Sequence, residues 1–187
     1  MRKLQITAWC QNMIRMQVPT GGFYIDATMG KGNDTLLLCE LAGEEGKVLA
    51  FDVQEKALEA TKKRLEENQV AHRAELVLDG HEHMDQYARE DTADVICFNF
   101  GYLPGGDHSI ATSAQTSIQA IEKGLKILKR GAMMSLCIYS GGDTGFEEKE
   151  ALLQYVKKLP AKEYTVIVNE YYNKENNPPM PVFVFKS

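Results

Sequence analysis

With 187 residues, 44% of them hydrophobic and 25% charged, the chain has the size and composition of one globular domain, able to bury about 70% of the surface it would expose unfolded. No apolar run reaches the about 18 residues of a membrane-crossing helix, and Met1-Arg2-Lys3-Leu4 does not open a signal peptide. A formal net charge of -5 excludes a protein that grips nucleic acid over its whole surface, while leaving room for a local basic patch.

Residues 4–18 carry apolar side chains at Ile6, Trp9, Cys10, Met13, Ile14 and Met16. That spacing predicts an amphipathic helix lying on the domain, stopped by Pro19 and Gly21-Gly22. From Phe23 onward, apolar runs alternate with helical patterns. Strands are predicted at 23–28, 47–53, 74–79, 93–100 and 132–139. Helices follow near 33–42, 55–68, 81–89, 112–129 and 146–158. The helix at 55–68 turns Ala57, Leu58, Thr61 and Leu65 inward, and the one at 112–129 has Ile118, Ile121, Leu125 and Leu128 at helical spacing. The last helix places Glu147, Glu148 and Glu150 in its first turn and Lys157 and Lys158 in its last, complementing the macrodipole. Beyond it, 164–172 and 181–186 are extended runs with no helix between them, and should pair antiparallel at one edge. The fold expected is a doubly wound, Rossmann-like α/β sheet, mostly parallel with an antiparallel C-terminal edge strand. It forms one domain over 1–187, with residues 1–20 as a helix packed on it.

Right-handed crossovers put every parallel strand's C-terminal end on one rim, and Asp26, Asp52, Asp79 and Asn99 all end strands there. The first strand runs into Asp26-Ala-Thr-Met-Gly30-Lys31-Gly32-Asn33-Asp34-Thr35, a glycine turn opening directly into a helix. Such a turn lets a ligand lie across backbone N–H groups at a helix start. It lacks the G-x-G-x-x-G of dinucleotide enzymes and the phosphate-loop pattern. Asp26 and Asp34 flank it, which suits a cationic ligand better than a pyrophosphate. S-adenosylmethionine, with a sulfonium and an ammonium and no phosphate, fits that pattern. Asp52 then ends the second strand about 20 residues on, where a ribose diol is held, with Gln54 in reach of the adenosine edge. A helix-capping role for Asp52 is the plainer alternative.

Asp79-Gly80-His81-Glu82-His83 ends the third strand. The segment can frame the adenine, with Asp79 or a backbone group such as that of Gly80 on the exocyclic amine and His81 packed near it. A solvated loop with Asp79 as an N-cap is the plainer alternative. A metal held by His81, Glu82 and His83 lacks any further pair at ligand spacing, so no metal is expected. Cys10, Cys39, Cys97 and Cys137 each sit singly in apolar segments, as reduced thiols in a cytoplasm do. Asn99-Phe-Gly-Tyr102-Leu-Pro-Gly-Gly-Asp107 resembles the N-P-P-Y type motif of amino-methylating enzymes. An Asn side-chain oxygen can accept hydrogen bonds from a target nitrogen and aim its lone pair. Tyr102 can hold the target against a ring face, and Asp107 or His108 can take up a proton.

Together, Asp26 to Gly30, Asp34-Thr35, Phe51-Asp52-Val-Gln54, Gly80-His81-Glu82 and Asn99 to Asp107 resemble the bacterial rRNA methylase family. The resemblance runs from about Gly21 to Pro178-Pro179. It implies a cytosolic S-adenosylmethionine-dependent enzyme, a homodimer, acting on tRNA to N-methylate wobble 5-aminomethyl-2-thiouridine. A small-molecule amine methyltransferase and an inactive S-adenosylmethionine-binding protein are the alternatives. Two departures stand out: Lys31 puts a cation where the family has an amide, and the loop after strand five reads Tyr139-Ser-Gly-Gly-Asp143-Thr-Gly145, without the family's frequent His. Arg2, Lys3, Arg15, Lys123, Lys126, Lys129 and Arg130 are the candidate RNA contacts.

Overall fold

The computed structural model describes residues 5–101, 113–139, 145–175 and 177–187. Helix α1 (Ile6–Gln17) buries Cys10 and Ile14 and leads through Pro19 to β1 (Phe23–Asp26). The Tyr24 hydroxyl reaches back to the Pro19 carbonyl, fixing this entry. Next come α2 (Asn33–Ala42), β2 (Lys47–Asp52), α3 (Glu55–Glu67), β3 (Ala74–Leu78), β4 (Ala93–Phe100) and α4 (Ala114–Ile127). The chain continues through β5 (Leu128–Ile138), α5 (Gly145–Lys157), β6 (Tyr164–Val168) and β7 (Met180–Lys186).

Among the described residues one sheet runs in the order β3-β2-β1-β4-β5-β7-β6. The first five strands are parallel; β7 is antiparallel to both β5 and β6. The antiparallel strand therefore lies one place inside the edge, and β6 forms the edge itself. Strand order reverses between β1 and β4, and a crevice opens at such a switch point beyond the strands' C-terminal ends.

Side-chain alternation explains the layering. Ile25, Leu49, Ile96, Phe98, Met134 and Leu136 face one side and pack with Ile121, Leu125, Leu152 and Val156 of α4 and α5. Tyr24, Val48, Val95, Cys97, Met133 and Cys137 face the other and pack with Cys10, Ile14, Leu37 and Leu38 of α1 and α2. Gly124 lets α4 lie close on the sheet: an added Cβ would stand 2.8 Å from Met134 Cε.

Three elements differ from the sequence pattern. Leu128 continues the helical spacing of α4 yet begins β5, with no loop between. The reason is that other groups take the helix's last carbonyls. Asp91 N–H donates to Lys126 O at 3.0 Å and Thr92 N–H to Ile127 O at 2.8 Å. Lys186 Nζ donates to Leu125 O and Leu128 O at 3.0 and 2.6 Å. The segment after β3 is a 3-10 helix, His81–Gln86, shorter than the helix expected at 81–89. It is wound tight because Asp79 accepts from Gly80 N–H, His83 Nδ1 and the Tyr87 hydroxyl. The first strand stops at Asp26, two residues early, because Asp26 draws Thr28 N–H back to its own side chain.

The turn from α2 into β2 has no room for a side chain at Gly46. An added Cβ would stand 2.8 Å from Ala42 O and closer still to Gly22 O, both backbone. Gly46→Ala should cost about 1–3 kcal/mol as an overpacking change. The melting temperature should fall by about 2–4 °C per kcal/mol for a chain of this size. Thermal denaturation beside the parent protein checks this.

Candidate active site

Beyond the ends of β1, β2, β3 and β4 lies a cavity of about 840 Å³, within the range of small-molecule sites. Its floor is the turn from Ala27 to Asp34. Asp52, Val53 and Gln54 form one wall and Asp79 to Glu82 another. Asn99, Gly101 and Tyr139 form a third; Gln5 with Thr7, Ala8 and Gln11 of α1, and Ser113 with Thr116 at the start of α4, complete the lining among the described residues.

The turn is shaped from beneath by Asp26. Its Oδ1 accepts Thr28 N–H at 3.1 Å and its Oδ2 accepts the Thr35 hydroxyl at 2.6 Å, so one carboxyl joins the start of the turn to the first turn of α2. Asp26 is fully buried. Burial, with the charge of Asp34 and a smaller contribution from Asp52, raises its pKa from 3.8 to about 7. Gly32 sits at φ +74°, where an added Cβ would also press on Thr61 at 3.0 Å. From the side, Thr61 Oγ1 donates to Gly30 O at 3.2 Å and Arg64 Nε to Lys31 O at 2.6 Å.

Asp52 binds the turn from β2. Its Oδ2 accepts Gly30 N–H and its Oδ1 accepts Gln54 N–H, each at 3.0 Å. Each oxygen keeps a lone pair on a carboxylate that lines the cavity. His81 is 8% exposed and directs Nδ1 at Ala27 O, 3.2 Å away. A carbonyl only accepts, so Nδ1 carries the hydrogen and Nε2 keeps a lone pair. Burial lowers the His81 pKa, which keeps the ring neutral, and Phe98 and Phe100 pack against it edge-on. Burial holds the Tyr139 hydroxyl protonated.

Asn99 leaves the end of β4 with its backbone N–H on Thr28 Oγ1 at 2.7 Å. Its Nδ2 donates to Asp34 Oδ2 at 2.8 Å, and Gln11 Nε2 donates to Asp34 Oδ1 at 2.6 Å. The Asn99 side-chain oxygen is therefore the part of the amide left to accept.

Of the residues singled out from the sequence, Gly30, Lys31, Asn33, Asp34, Asp52, Gln54, Gly80, His81 and Asn99 all line this cavity. Asp26 and Thr35 do not. Both are fully buried and bonded to each other beneath the floor, so they shape the turn rather than reach a ligand. Tyr102 and Asp107, like His108, Asp143, Arg2 and Lys3, lie outside the described residues. Three of the basic candidates are paired with acids: Arg15 with Glu40, Lys123 with Asp85 and Lys129 with Asp94. Among the described residues no three His, Cys, Asp or Glu side chains converge as a metal site. His83 turns instead to Asp79. Sequence pattern missed the α1 wall. Thr7 and Gln11 stand four apart, on one face of an amphipathic helix, and that polar pair was the available signal.

A mostly parallel sheet with its switch point at β1 and β4, a glycine turn flanked by acids and an acid ending β2 make up the layout of S-adenosylmethionine-dependent methyltransferases. The sequence matches the family described as "Putative rRNA methylase" over residues 48–185, and the chain belongs to that family. It is 33% identical over 178 residues to the chloroplastic tRNA (mnm(5)s(2)U34)-methyltransferase of Arabidopsis thaliana, covering 90% of this chain. The chain spans 65% of that relative's length. The "putative rRNA-methylase" of Clostridium thermocellum is 40% identical with a TM-score of 0.95, and each chain is covered completely. SMU.1697c of Streptococcus mutans, solved in complex with SAH, is 36% identical with a TM-score of 0.88, again over all of both chains.

The buried Asp26 gives a test of the turn. With its folded-state pKa near 7 and the ordinary value 3.8, the folded chain holds a proton there that the unfolded chain releases between about pH 4 and 7. The stability this group contributes is full below about pH 4 and is lost as pH rises through about 7. Asp26→Asn offers an oxygen to Thr28 N–H and an NH2 to the Thr35 hydroxyl. It should flatten the decline in melting temperature between about pH 4 and 8. An unchanged decline would mean that another group titrates.

Proposed function

We propose that this chain is an S-adenosylmethionine-dependent N-methyltransferase acting on RNA, with the aminomethyl group of wobble 5-aminomethyl-2-thiouridine in tRNA as acceptor. The observation that carries this is the orientation of Asn99. Its NH2 is given to Asp34, which leaves its oxygen to accept from an amine N–H at the cavity wall. That polarity suits a nitrogen donor, whose lone pair is then aimed away from the Asn99 oxygen. The name of the Arabidopsis relative supports the tRNA acceptor.

S-adenosylmethionine, when bound, supplies a methyl group on a positively charged sulfur. The carboxyl groups of Asp34 on the floor and Asp52 in the wall favour a cationic guest. Asp52 would accept from the ribose hydroxyls, with Gln54 beside it. The turn Gly30, Lys31 and Asn33 would take the methionine end, and Gly80 and His81 the adenine edge. Tyr102 and Asp107 keep their sequence-based roles, an aromatic face for the target and a proton acceptor. A single cytoplasmic domain over 1–187, working as a homodimer, completes the proposal.

A free small-molecule amine is the second reading. The pairing of Arg15, Lys123 and Lys129 with acids favours it, and it would show methyl transfer without salt-dependent tRNA binding.

Incubating undermodified tRNA with the protein and S-adenosylmethionine, then analysing nucleosides by mass spectrometry, should give one added methyl on an aminomethyl uridine. Cofactor binding with no added methyl on RNA would reject the RNA reading, and transfer to no amine at all would leave an inactive binder. Asp52→Ala should weaken S-adenosylhomocysteine binding about 10- to 100-fold by calorimetry; unchanged affinity removes Asp52 from the ribose. Asn99→Ala should lower turnover while affinity for S-adenosylhomocysteine stays near that of the parent. A variant that loses binding instead would give Asn99 a different role.

A further inference from the structure

Asn99 can present either end of its amide to the cavity, because the two orientations are nearly the same shape and differ by a half-turn about χ2. Only one of them offers an acceptor. The backbone of Asn99 is fixed by the Thr28 hydroxyl at 2.7 Å, which sets the position of the side chain but not which end faces out. The choice falls to Asp34, since a carboxylate has only lone pairs to offer and must face the NH2. Asp34 is itself soft about χ2. What bonds its other oxygen is Gln11, whose Nε2 donates to Oδ1 at 2.6 Å.

We propose that Gln11 is a positioning residue for methyl transfer: it holds the Asp34 carboxylate in place, and Asp34 holds the Asn99 amide with its oxygen toward the acceptor. This rests on the amine-aiming role given to Asn99 above. Three separate elements form the chain of bonds, namely α1, the first turn of α2 and the end of β4. Gln11 does not hang on a loose helix. Cys10 and Ile14 on either side of it are buried against the sheet, in the same cluster as Leu37, Leu38 and Cys137. The helix thereby presents Gln11 at a fixed height above Asp34. In this arrangement α1 is a wall of the site and sets its selectivity for a hydrogen-bond donor over an acceptor.

Two variants test it: Gln11→Met, close in length and without a donor, and Gln11→Ala. Asn12→Ala, exposed on the same helix, is the control. Three quantities are read on each. They are kcat and KM for tRNA at saturating S-adenosylmethionine, affinity for S-adenosylhomocysteine by calorimetry, and the side-chain NH2 signal of Asn99 in 15N–1H spectra, assigned by its loss in Asn99→Ala. Both Gln11 variants should lose about tenfold in kcat, the low end for a charge-assisted hydrogen bond. KM and affinity should change by less than about threefold, and the Asn99 NH2 signal should shift and exchange faster with water. Asn12→Ala should match the parent in all three.

Unchanged kcat, or a fall in kcat with the Asn99 signal unmoved, overturns the proposal. Loss of S-adenosylhomocysteine affinity with kcat intact also overturns it, because Gln11 would then be a cofactor contact. If the parent protein transfers no methyl to any RNA or amine, the underlying reading falls. The Asn99 NH2 signal then decides by itself whether Gln11 orients that side chain.

Discussion

A single carboxyl under the glycine turn determines where almost everything above it stands. Asp26 ends β1 and spends one oxygen on Thr28 N–H and the other on the Thr35 hydroxyl, which folds ten residues of chain back on themselves. Thr28, held that way, turns its own hydroxyl to the N–H of Asn99 and so ties the end of β1 to the end of β4. Asp52 performs the matching task from the other neighbour, taking Gly30 N–H. The floor of the cavity is thus strung between three strand ends, and its positive-φ residues, Gly30 and Gly32, are where the chain bends to make this possible. Burying Asp26 beside Asp34 is unfavourable for its charge, which is why its proton is held so tightly.

The same acids decide what can enter. A pyrophosphate would meet Asp34 and Asp52 at the floor and wall and be repelled, whereas a sulfonium with an ammonium is drawn in. Neutral His81, with Nδ1–H on Ala27 O, adds an acceptor without adding a charge to this balance.

The strand ends were the most readable feature of the sequence, because an acid or amide closing an apolar run survives any error of two residues in strand length. Asp52, Asp79 and Asn99 accordingly line the cavity as expected. Other features were hidden for physical reasons. Asp26 is a strand-end acid like the others, and only its partners reveal that it points beneath the floor. Leu128 keeps the helical period, and nothing local tells it that Asp91, Thr92 and Lys186 will claim the last carbonyls of α4. Gln11 belongs to a helix whose apolar face was legible. Its polar face acquires a purpose only when α2 and β4 arrive beside it. Tyr102 and Asp107 lie outside the described residues and still rest on the motif.

The order of strands in the sheet also constrains how the chain can be assembled. β6 is made before β7, yet its one neighbour in the sheet is β7, which separates it from β5. In the sheet, β6 has no place until β7 is present. Without β7, β5 would offer an open backbone edge and Val166, Ile167 and Val168 would have no strand beside them. β7 is thus the only described link between β6 and the rest of the sheet, so the edge closes only once β7 is in place, whether β7 docks on β5 alone or already paired with β6.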